Sequence, residues 1–396
     1  MKLSDCISIA DLRQLARRRA HRMVFDYIDG GAEDEVTMSG NVDAFVKHRF
    51  VHRVLRDVSA LDPSIEIFGQ RRPLPFFLSP TAGNRLFHTD GEVAVAHAAG
   101  EAGIVSGLST LGSTSIEDFC AAGTGPKWFQ TYVWKDRELT REMLLRAKAA
   151  GFETLVVTVD MPVHGSRERD HRNGFAIPPK IGLKQTIQAL RAPRWTLDYL
   201  ASSPIRYANL SQNTSAISLA DFVNDQLDPA FCWDDAAELI SHWSGSTVLK
   251  GVVHPDDAKR AVEIGFDAIQ VSNHGGRQLD RDVAPLDALP AIRKAVGEQV
   301  PLILDSGVRR GSDILTALIC GADAVSCGRA YLYGLAAGGE AGVARSIEIL
   351  KDELLRSMAL LGVASIRELL LERGRWNIST TENLAVHAAM SGPQFR

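Results

Sequence analysis

The sequence has few cysteines and none of the spacings that would give them a job. Cys6, Cys120, Cys232, Cys320 and Cys327 are odd in number and scattered, and no two form a CxxC pair. A disulfide framework and a zinc site are therefore both disfavoured, and no metal is expected. The haem attachment signature CxxCH is missing as well. No run of about 18 apolar residues occurs, which argues against a membrane-spanning helix. The first residues, Met1 to His21, lack an apolar stretch behind their basic positions, so secretion is not expected and a reducing cytosol is the simplest compartment. Charge of one sign is also lacking. A net charge of -4 gives no general electrostatic reason to expect nucleic acid as a partner. Neither GxGxxG nor GxxxxGK[ST] is found, which disfavours a dinucleotide-binding turn and a P-loop.

What is present is a globular composition, 45% hydrophobic and 23% charged over 396 residues, compatible with two average domains or one large barrel with additions. Short apolar runs choose between them. They read PLPFFLSP from Pro73, GIVSGLS from Gly103, WFQTYV from Trp128, TLVVTVD from Thr154, TVLKGV from Thr247, AIQVSN from Ala268, PLILDS from Pro301 and AVSCGR from Ala324. Runs without strict alternation suit strands buried on both faces of a parallel sheet, and each is followed by a helix-length segment. An α/β fold, the (β/α)8 TIM barrel, is expected. Thr89 is the cap candidate for the helix after the first strand, Pro255 and Gly265 bracket another, and Ser312 and Gly321 a third.

The chain is read as a single domain, 1–396. An N-terminal helical segment (1–72) precedes barrel segments 73–160 and 247–340, an insertion (161–246) follows the fourth strand, and C-terminal helices and a tail occupy 341–396. Ser8 is the first helix's cap candidate, with Asp11 three residues on. Phe25, Tyr27 and Ile28 must return to the barrel to be buried, whereas Arg17, Arg18 and Arg19 read as a solvated face. The insertion carries Trp195, Leu197, Tyr199, Phe222, Phe231 and Trp233, a composition suited to a lid or an interaction surface rather than disorder.

Chemistry in such a barrel sits at the C-terminal ends of the strands. The residues closing the runs form a polar ring: Pro80, Thr81 and Ala82; Ser109; Gln130 and Tyr132; Thr158 and Asp160; Lys250; Ser272, His274 and Arg277; Asp305, Gly307 and Arg309; Gly328 and Arg329. Any one could be an ordinary loop residue; the whole ring is hard to explain as loop composition. Glycines after the last two strands let backbone amides approach a phosphate at a helix N-terminus, with Arg309 and Arg329 adding charge, and a mononucleotide cofactor fits better than a dinucleotide. Arg310 reads equally well as solvent-facing.

Lys250 ends an apolar strand, where a lysine is costly unless paired. One reading is a salt bridge to a neighbouring strand-end carboxylate; the other is a fixed cation beside a ring that gains negative charge on reduction, as a flavin does. In SNHGGRQLD, Ser272 to Asp280, the two glycines permit a tight turn that leaves the His274 imidazole uncovered, with a pKa near neutrality suited to accepting a proton. Arg277 offers a rigid fork for a carboxylate, and Asp160 can orient the imidazole and stabilise its charged form. Opposition between the arginines and Asp160 is expected to keep His274 neutral near pH 7.

SNHGGRQLD together with LDSGVRRGSDILTALICGADAVSCGRAYLYGLA resembles the FMN-dependent α-hydroxy acid dehydrogenase and oxidase family. The resemblance covers nearly the whole chain, from MVFDYIDGGAEDE through SPTA, WFQTYV, VTVDMPVHGSRERDHRNGF and VLKGV. It implies FMN as cofactor and oxidation of an (S)-2-hydroxy acid, of the L-lactate or (S)-mandelate kind, to the 2-oxo acid. It further implies His274 as the base with Asp160 behind it, Arg277 and Arg167 on the substrate carboxylate, and Tyr27 and Tyr132 as hydrogen-bond partners of the substrate. Flavin contacts are implied for Pro80, Thr81, Ala82, Ser109, Gln130, Thr158, Lys250 and Ser272, with the phosphate on Asp305, Ser306, Gly307, Val308, Arg309, Gly328 and Arg329.

Two departures stand out. Ser306 occupies a position where many members have glycine, which is harmless if only backbone groups face the phosphate. Leu111 stands where short-chain hydroxy acid oxidases often carry tryptophan, so glycolate is not the expected substrate. The insertion, with RAPRWTLDYL and LDPAFCWDD, resembles that of bacterial lactate and mandelate dehydrogenases, which implies peripheral membrane contact through residues 176–230 at the cytoplasmic face of the inner membrane. Lys180, Lys184, Arg191 and Arg194 interleaved with Ile181, Leu183, Ile187, Leu190 and Trp195 fit an interfacial helix, and a lid packed on the barrel is the alternative. A homotetramer is implied too. The electron acceptor is left open among oxygen, a quinone and a cytochrome-type carrier. Rival readings are another flavin barrel enzyme, an isomerase or peptide-modifying relative, and a non-catalytic flavin-binding or membrane-docking protein.

Overall fold

The computed structural model describes residues 1–175, 188–210, 225–376 and 378–380. The expected runs form one closed barrel of eight parallel strands. They are β1 (Phe76–Thr81), β2 (Ser106–Ser109), β3 (Lys127–Thr131), β4 (Thr154–Thr158), β5 (Ser246–Val252), β6 (Ala268–Val271), β7 (Leu302–Asp305) and β8 (Ala324–Cys327). Neighbours in sequence are neighbours in the barrel, and β8 closes onto β1. Every residue of β2, β3, β4, β6, β7 and β8 is buried, which is why their runs show no polar alternation.

Two helix starts differ from expectation. The helix Gly91–Glu101 has Asp90, not Thr89, at its cap position, with no side-chain capping bond. The helix Gly311–Cys320 starts after Arg310, so Ser312 lies inside it. Asp313, three residues beyond Arg310, does the capping: its carboxylate accepts the Arg309 and Arg310 amides at 2.8 and 2.9 Å. Pro255 does open its helix, and Gly265 and Gly321 follow theirs in conformations with φ of 105° and 126°.

The N-terminal segment forms the helices Ile9–Arg19 and Arg22–Asp29. Ser8 caps the first, accepting the Asp11 amide at 3.2 Å. That helix packs on the long helix Arg329–Leu361, which follows β8 and is kinked at Gly338 and Gly339. Arg17 and Arg18 are exposed as expected, but Arg19 turns inward and donates to the Ala337 carbonyl. Phe25 and Ile28 are buried, and the end of the second helix, Tyr27 to Gly30, arrives over the mouth of the barrel.

One irregularity shapes the site. β4 and β5 pair Thr158 with Lys250, and the β5–β6 register then shifts between Lys250 and Val252. Gly251 at the shift has φ of 106°, and a Cβ there would lie 2.6 Å from the Asp160 Cβ. Only glycine lets Asp160 approach the strand that carries Lys250.

In the insertion, Lys180, Ile181, Leu183, Lys184, Ile187 and Phe222 lie outside the described residues. Trp195, on the helix Pro193–Ala201, faces the body of the protein: its Nε1 donates to the Leu86 carbonyl at 2.9 Å and its ring stacks on Tyr199 at 5.1 Å. Leu190, Leu197, Leu200, Arg191 and Arg194 face outward. Among the described residues, no helix is long and apolar enough to cross a membrane.

Candidate active site

A cavity of about 300 Å³ lies at the C-terminal ends of the strands. Tyr27, Tyr132, Arg167, Lys250, His274 and Arg277 line it, with Pro80, Thr81, Ala82, Asp305, Ser306, Gly307, Val308, Arg309, Gly328 and Arg329. Ser109, Gln130, Thr158, Ser272 and Asp160 do not reach the lining and stand directly behind it. Ser109 Oγ donates to Gln130 Oε1 at 2.8 Å, Gln130 Nε2 to Thr158 Oγ1 at 2.9 Å, and Ser272 Oγ to Asp305 Oδ2 at 3.0 Å. These buried bonds lock the strand ends on which the lining residues sit.

The SNHGGR turn is left-handed over three consecutive residues, His274, Gly275 and Gly276, with φ of 58°, 68° and 73°. The strain at His274 is of the kind that persists where surroundings over-determine a conformation. Here a 2.8 Å contact between His274 Nδ1 and Asp160 Oδ1 holds the ring. A carboxylate accepts, so Nδ1 carries the proton and Nε2 keeps a lone pair. Burial by itself would raise the Asp160 pKa, but the His274 and Lys250 charges outweigh it and hold the carboxyl below its ordinary value. The His274 pKa is also lowered. Burial is its largest cause, opposed by Asp160 and reinforced by Lys250 and Arg277. Desolvation, rather than the repulsion of the arginines expected from the sequence, is thus the stronger cause of the lowering.

Lys250 faces two strand-end carboxylates without closing a hydrogen bond on either. Its Nζ lies 3.6 Å from Asp160 Oδ2 and 3.8 Å from Asp305 Oδ2, close enough for attraction and too far for hydrogen bonds. This buried ammonium has no hydrogen-bond partner among the described residues. Arg277 is anchored at one end, Nη1 donating to the Tyr27 and Gly30 carbonyls at 2.7 and 3.0 Å, while the buried Nη2 has no hydrogen-bond partner among the described residues. Arg167 Nη2 lies 3.1 Å from His164 Nδ1. Both guanidiniums sit over the Tyr27 ring, at 4.7 Å for Arg277 and 5.4 Å for Arg167, and Phe175 stacks on that ring at 4.2 Å. The Tyr132 ring lies 6.4 Å from that of His274, and burial pushes the phenol well above its ordinary pKa, so it stays protonated.

At the other end, the two helix N-termini are not equivalent. Asp313 takes the Arg309 and Arg310 amides, Glu353 takes the Gly311 amide, and Arg310 pairs outward with Glu353. Among the described residues, the Arg329 and Ala330 amides at the start of the long helix have no acceptor, which leaves them open to an anion. Arg329 sits there with Nε, Nη1 and Nη2 on the Ile28, Gly275 and Gly30 carbonyls, and burial together with Arg277 pulls its pKa down to about 9. Ser306 is no bystander: φ is 81°, and its Oγ accepts the Gly275 amide at 3.0 Å, tying the loop after β7 to the His274 turn. The orphaned Lys250 ammonium and the open helix amides are what a flavin mononucleotide would satisfy, one beside its ring and the other at its phosphate.

Sequence reasoning missed His164, Asp170 and Tyr207, which also line the cavity. They come from the insertion, where no strand periodicity assigns them a direction; the density of polar residues in VHGSRERDHRN was a signal for His164 and Asp170, and Tyr207 had none.

Fold and site together are those of a (β/α)8 barrel enzyme with His274, Lys250 and Arg329 on one cavity. The chain belongs to the FMN-dependent dehydrogenase family, whose model matches residues 16–374, and its cofactor is FMN. It is 44% identical over 369 residues, 93% of this chain and 89% of the relative, to a putative L-lactate dehydrogenase of Mycobacterium tuberculosis. It is 42% identical over 373 residues, 93% of this chain and 97% of the relative, to an L-lactate oxidase of Nostoc. Among solved structures it is similar to the monotopic membrane protein (S)-mandelate dehydrogenase, with 39% identity, a TM-score of 0.89, and coverage of 95% of this chain and 99% of that one.

Proposed function

We propose that the protein oxidises an (S)-2-hydroxy acid, L-lactate or an (S)-mandelate-like acid, to the 2-oxo acid. The observation that carries this reading is a complementary pair on one cavity: the lone pair on His274 Nε2, and the Arg277 Nη2 that has no hydrogen-bond partner among the described residues. The guanidinium takes the substrate carboxylate, and Arg167 adds a second positive charge. His274 Nε2 takes a proton from the substrate, and Asp160, already ionised, stabilises the imidazolium that results. Tyr27 and Tyr132 position the substrate oxygens. FMN would supply the two-electron acceptor, and Lys250 and the start of the long helix are the groups that would hold it. Arg277 also weighs against an isomerase or a non-catalytic flavoprotein, neither of which needs a carboxylate fork at this position.

The test is His274→Ala. The variant should purify with FMN bound and be reduced by L-lactate, without oxygen, at least about 10²-fold more slowly than wild type. Near wild-type reduction would refute the assignment.

We also propose peripheral membrane contact, supported by the outward Leu190, Leu197 and Leu200 flanked by Arg191 and Arg194. Co-sedimentation with anionic vesicles that weakens in Leu197→Ser with Leu200→Ser is the expected outcome. Unchanged binding would refute it.

A further inference from the structure

The contact between Arg167 and His164 fixes a tautomer. A guanidinium donates and cannot accept, so at 3.1 Å from Arg167 Nη2 the His164 Nδ1 must hold a lone pair. The ring proton is then on Nε2. Burial, reinforced by Arg167, His274 and Arg277, pushes the His164 pKa down to about 4, and the ring is neutral at physiological pH. Because Nδ1 is occupied, Nε2–H is the ring group left to the cavity that His164 lines.

A 2-hydroxy acid placed as above has its carboxylate on Arg277 and Arg167 and its reacting carbon toward His274. Of the other lining residues, Leu111, Met161 and His164 are the ones assigned to its side chain. Leu111 and Met161 are buried and apolar, so of these three His164 is the hydrogen-bond donor. A purely hydrocarbon side chain pressed against Nε2–H strips the donor of water and returns nothing. A cationic side chain meets two guanidiniums and a nitrogen with no lone pair.

We propose that His164 reads the substrate's side chain, its Nε2–H donating to a neutral oxygen acceptor there, so that 2-hydroxy acids with an ether, carbonyl or hydroxyl beyond Cβ are preferred over hydrocarbon analogues. The inference rests on the hydroxy acid reading of the same site. It makes the histidine a specificity-determining residue, separate from the proton transfer at His274.

A matched pair tests it: (S)-2-hydroxy-4-methoxybutanoate and (S)-2-hydroxyhexanoate, equal in length, with one oxygen in place of one methylene. In the FMN-loaded wild type, kcat/KM should favour the ether by about 3- to 10-fold, the range of one neutral hydrogen bond, with the difference in KM. In His164→Leu the ratio should fall to one or invert, and in His164→Gln, which keeps a donor, part of the preference should return. Calorimetric Kd values for the two corresponding 2-oxo acids should follow the same order. An equal ratio in wild type and His164→Leu, or a wild type that prefers the hexanoate, overturns the inference while leaving the hydroxy acid reading intact. Failure of wild type to oxidise either acid or L-lactate overturns the hydroxy acid reading, and this one with it. Should His164→Leu not fold, the wild-type ratio and the glutamine variant decide the matter.

Discussion

Asparagine at position 160 keeps the shape of the side chain and deletes its charge. Asp160 Oδ1 lies 2.8 Å from His274 Nδ1. With charge centres about 4 Å apart and an effective dielectric of about 20, the carboxylate–imidazolium attraction is worth about 4 kcal/mol. That attraction acts on the charged ring formed as His274 takes the proton and does little for the neutral ring before it. If the transition state carries half the charge, Asp160→Asn loses about 2 kcal/mol, or about 30-fold in rate; a full charge gives about 10³-fold. Anaerobic stopped-flow reduction with L-lactate measures this directly. KM should change by less than about threefold, because Arg277 and Arg167 are untouched. Since Asp160 raises the His274 pKa, its removal should also move the acid limb of kcat/KM to lower pH. FMN content must be followed in parallel, as Lys250 loses its partner at 3.6 Å and keeps Asp305 at 3.8 Å. A holoprotein of wild-type rate, a loss confined to KM, or an acid limb displaced upward would refute the reasoning.

Arg277→Lys should raise KM for L-lactate by about 10- to 100-fold, the cost of one charge-assisted hydrogen bond, with a smaller effect on kcat; an unchanged KM would remove Arg277 from carboxylate binding. Gly251→Ala should lower stability by about 1–3 kcal/mol in urea titration, because its φ of 106° and a 2.6 Å approach to Asp160 leave no room for a methyl group. Ser306→Ala should cost about 1–3 kcal/mol by leaving the Gly275 amide without its acceptor, and a thermal midpoint equal to wild type would contradict that bond. For pH, His164 has an unfolded pKa of 6.5 and a folded value of about 4, so the unfolded chain binds more protons between them. The stabilisation is complete above pH 6.5 and is lost as pH falls toward about 4. His164→Gln should therefore flatten the fall of the urea midpoint across that window.

The barrel was legible because its strands are buried on both faces. PLILDS is apolar until Asp305, so the end of the run stands out, and strand order follows from chain order. The catalytic ring was legible for the same reason: where an apolar run stops, its last polar residue marks the mouth. Capping was less legible. Thr89 and Ser312 have the right chemistry one or two positions away from where the backbone turns, and a local pattern cannot tell Asp313 acting backwards on Arg309 and Arg310 from Ser312 acting forwards. Lys250 was ambiguous because its pairing depends on the register shift at Gly251, a tertiary event with no local signature. His164 and Tyr207 were invisible as site residues because an insertion without periodicity gives no direction to its side chains.

The carbonyls of Tyr27, Ile28 and Gly30 take hydrogen bonds from Arg277 and Arg329, and Gly30 serves both. An eight-stranded barrel trimmed of its first thirty or so residues would keep His274, Asp160 and Lys250 and lose what aims its two guanidiniums. Catalytic competence is thus assembled across two parts of the chain, like a lock whose bolt is cast with the frame and whose keeper arrives separately.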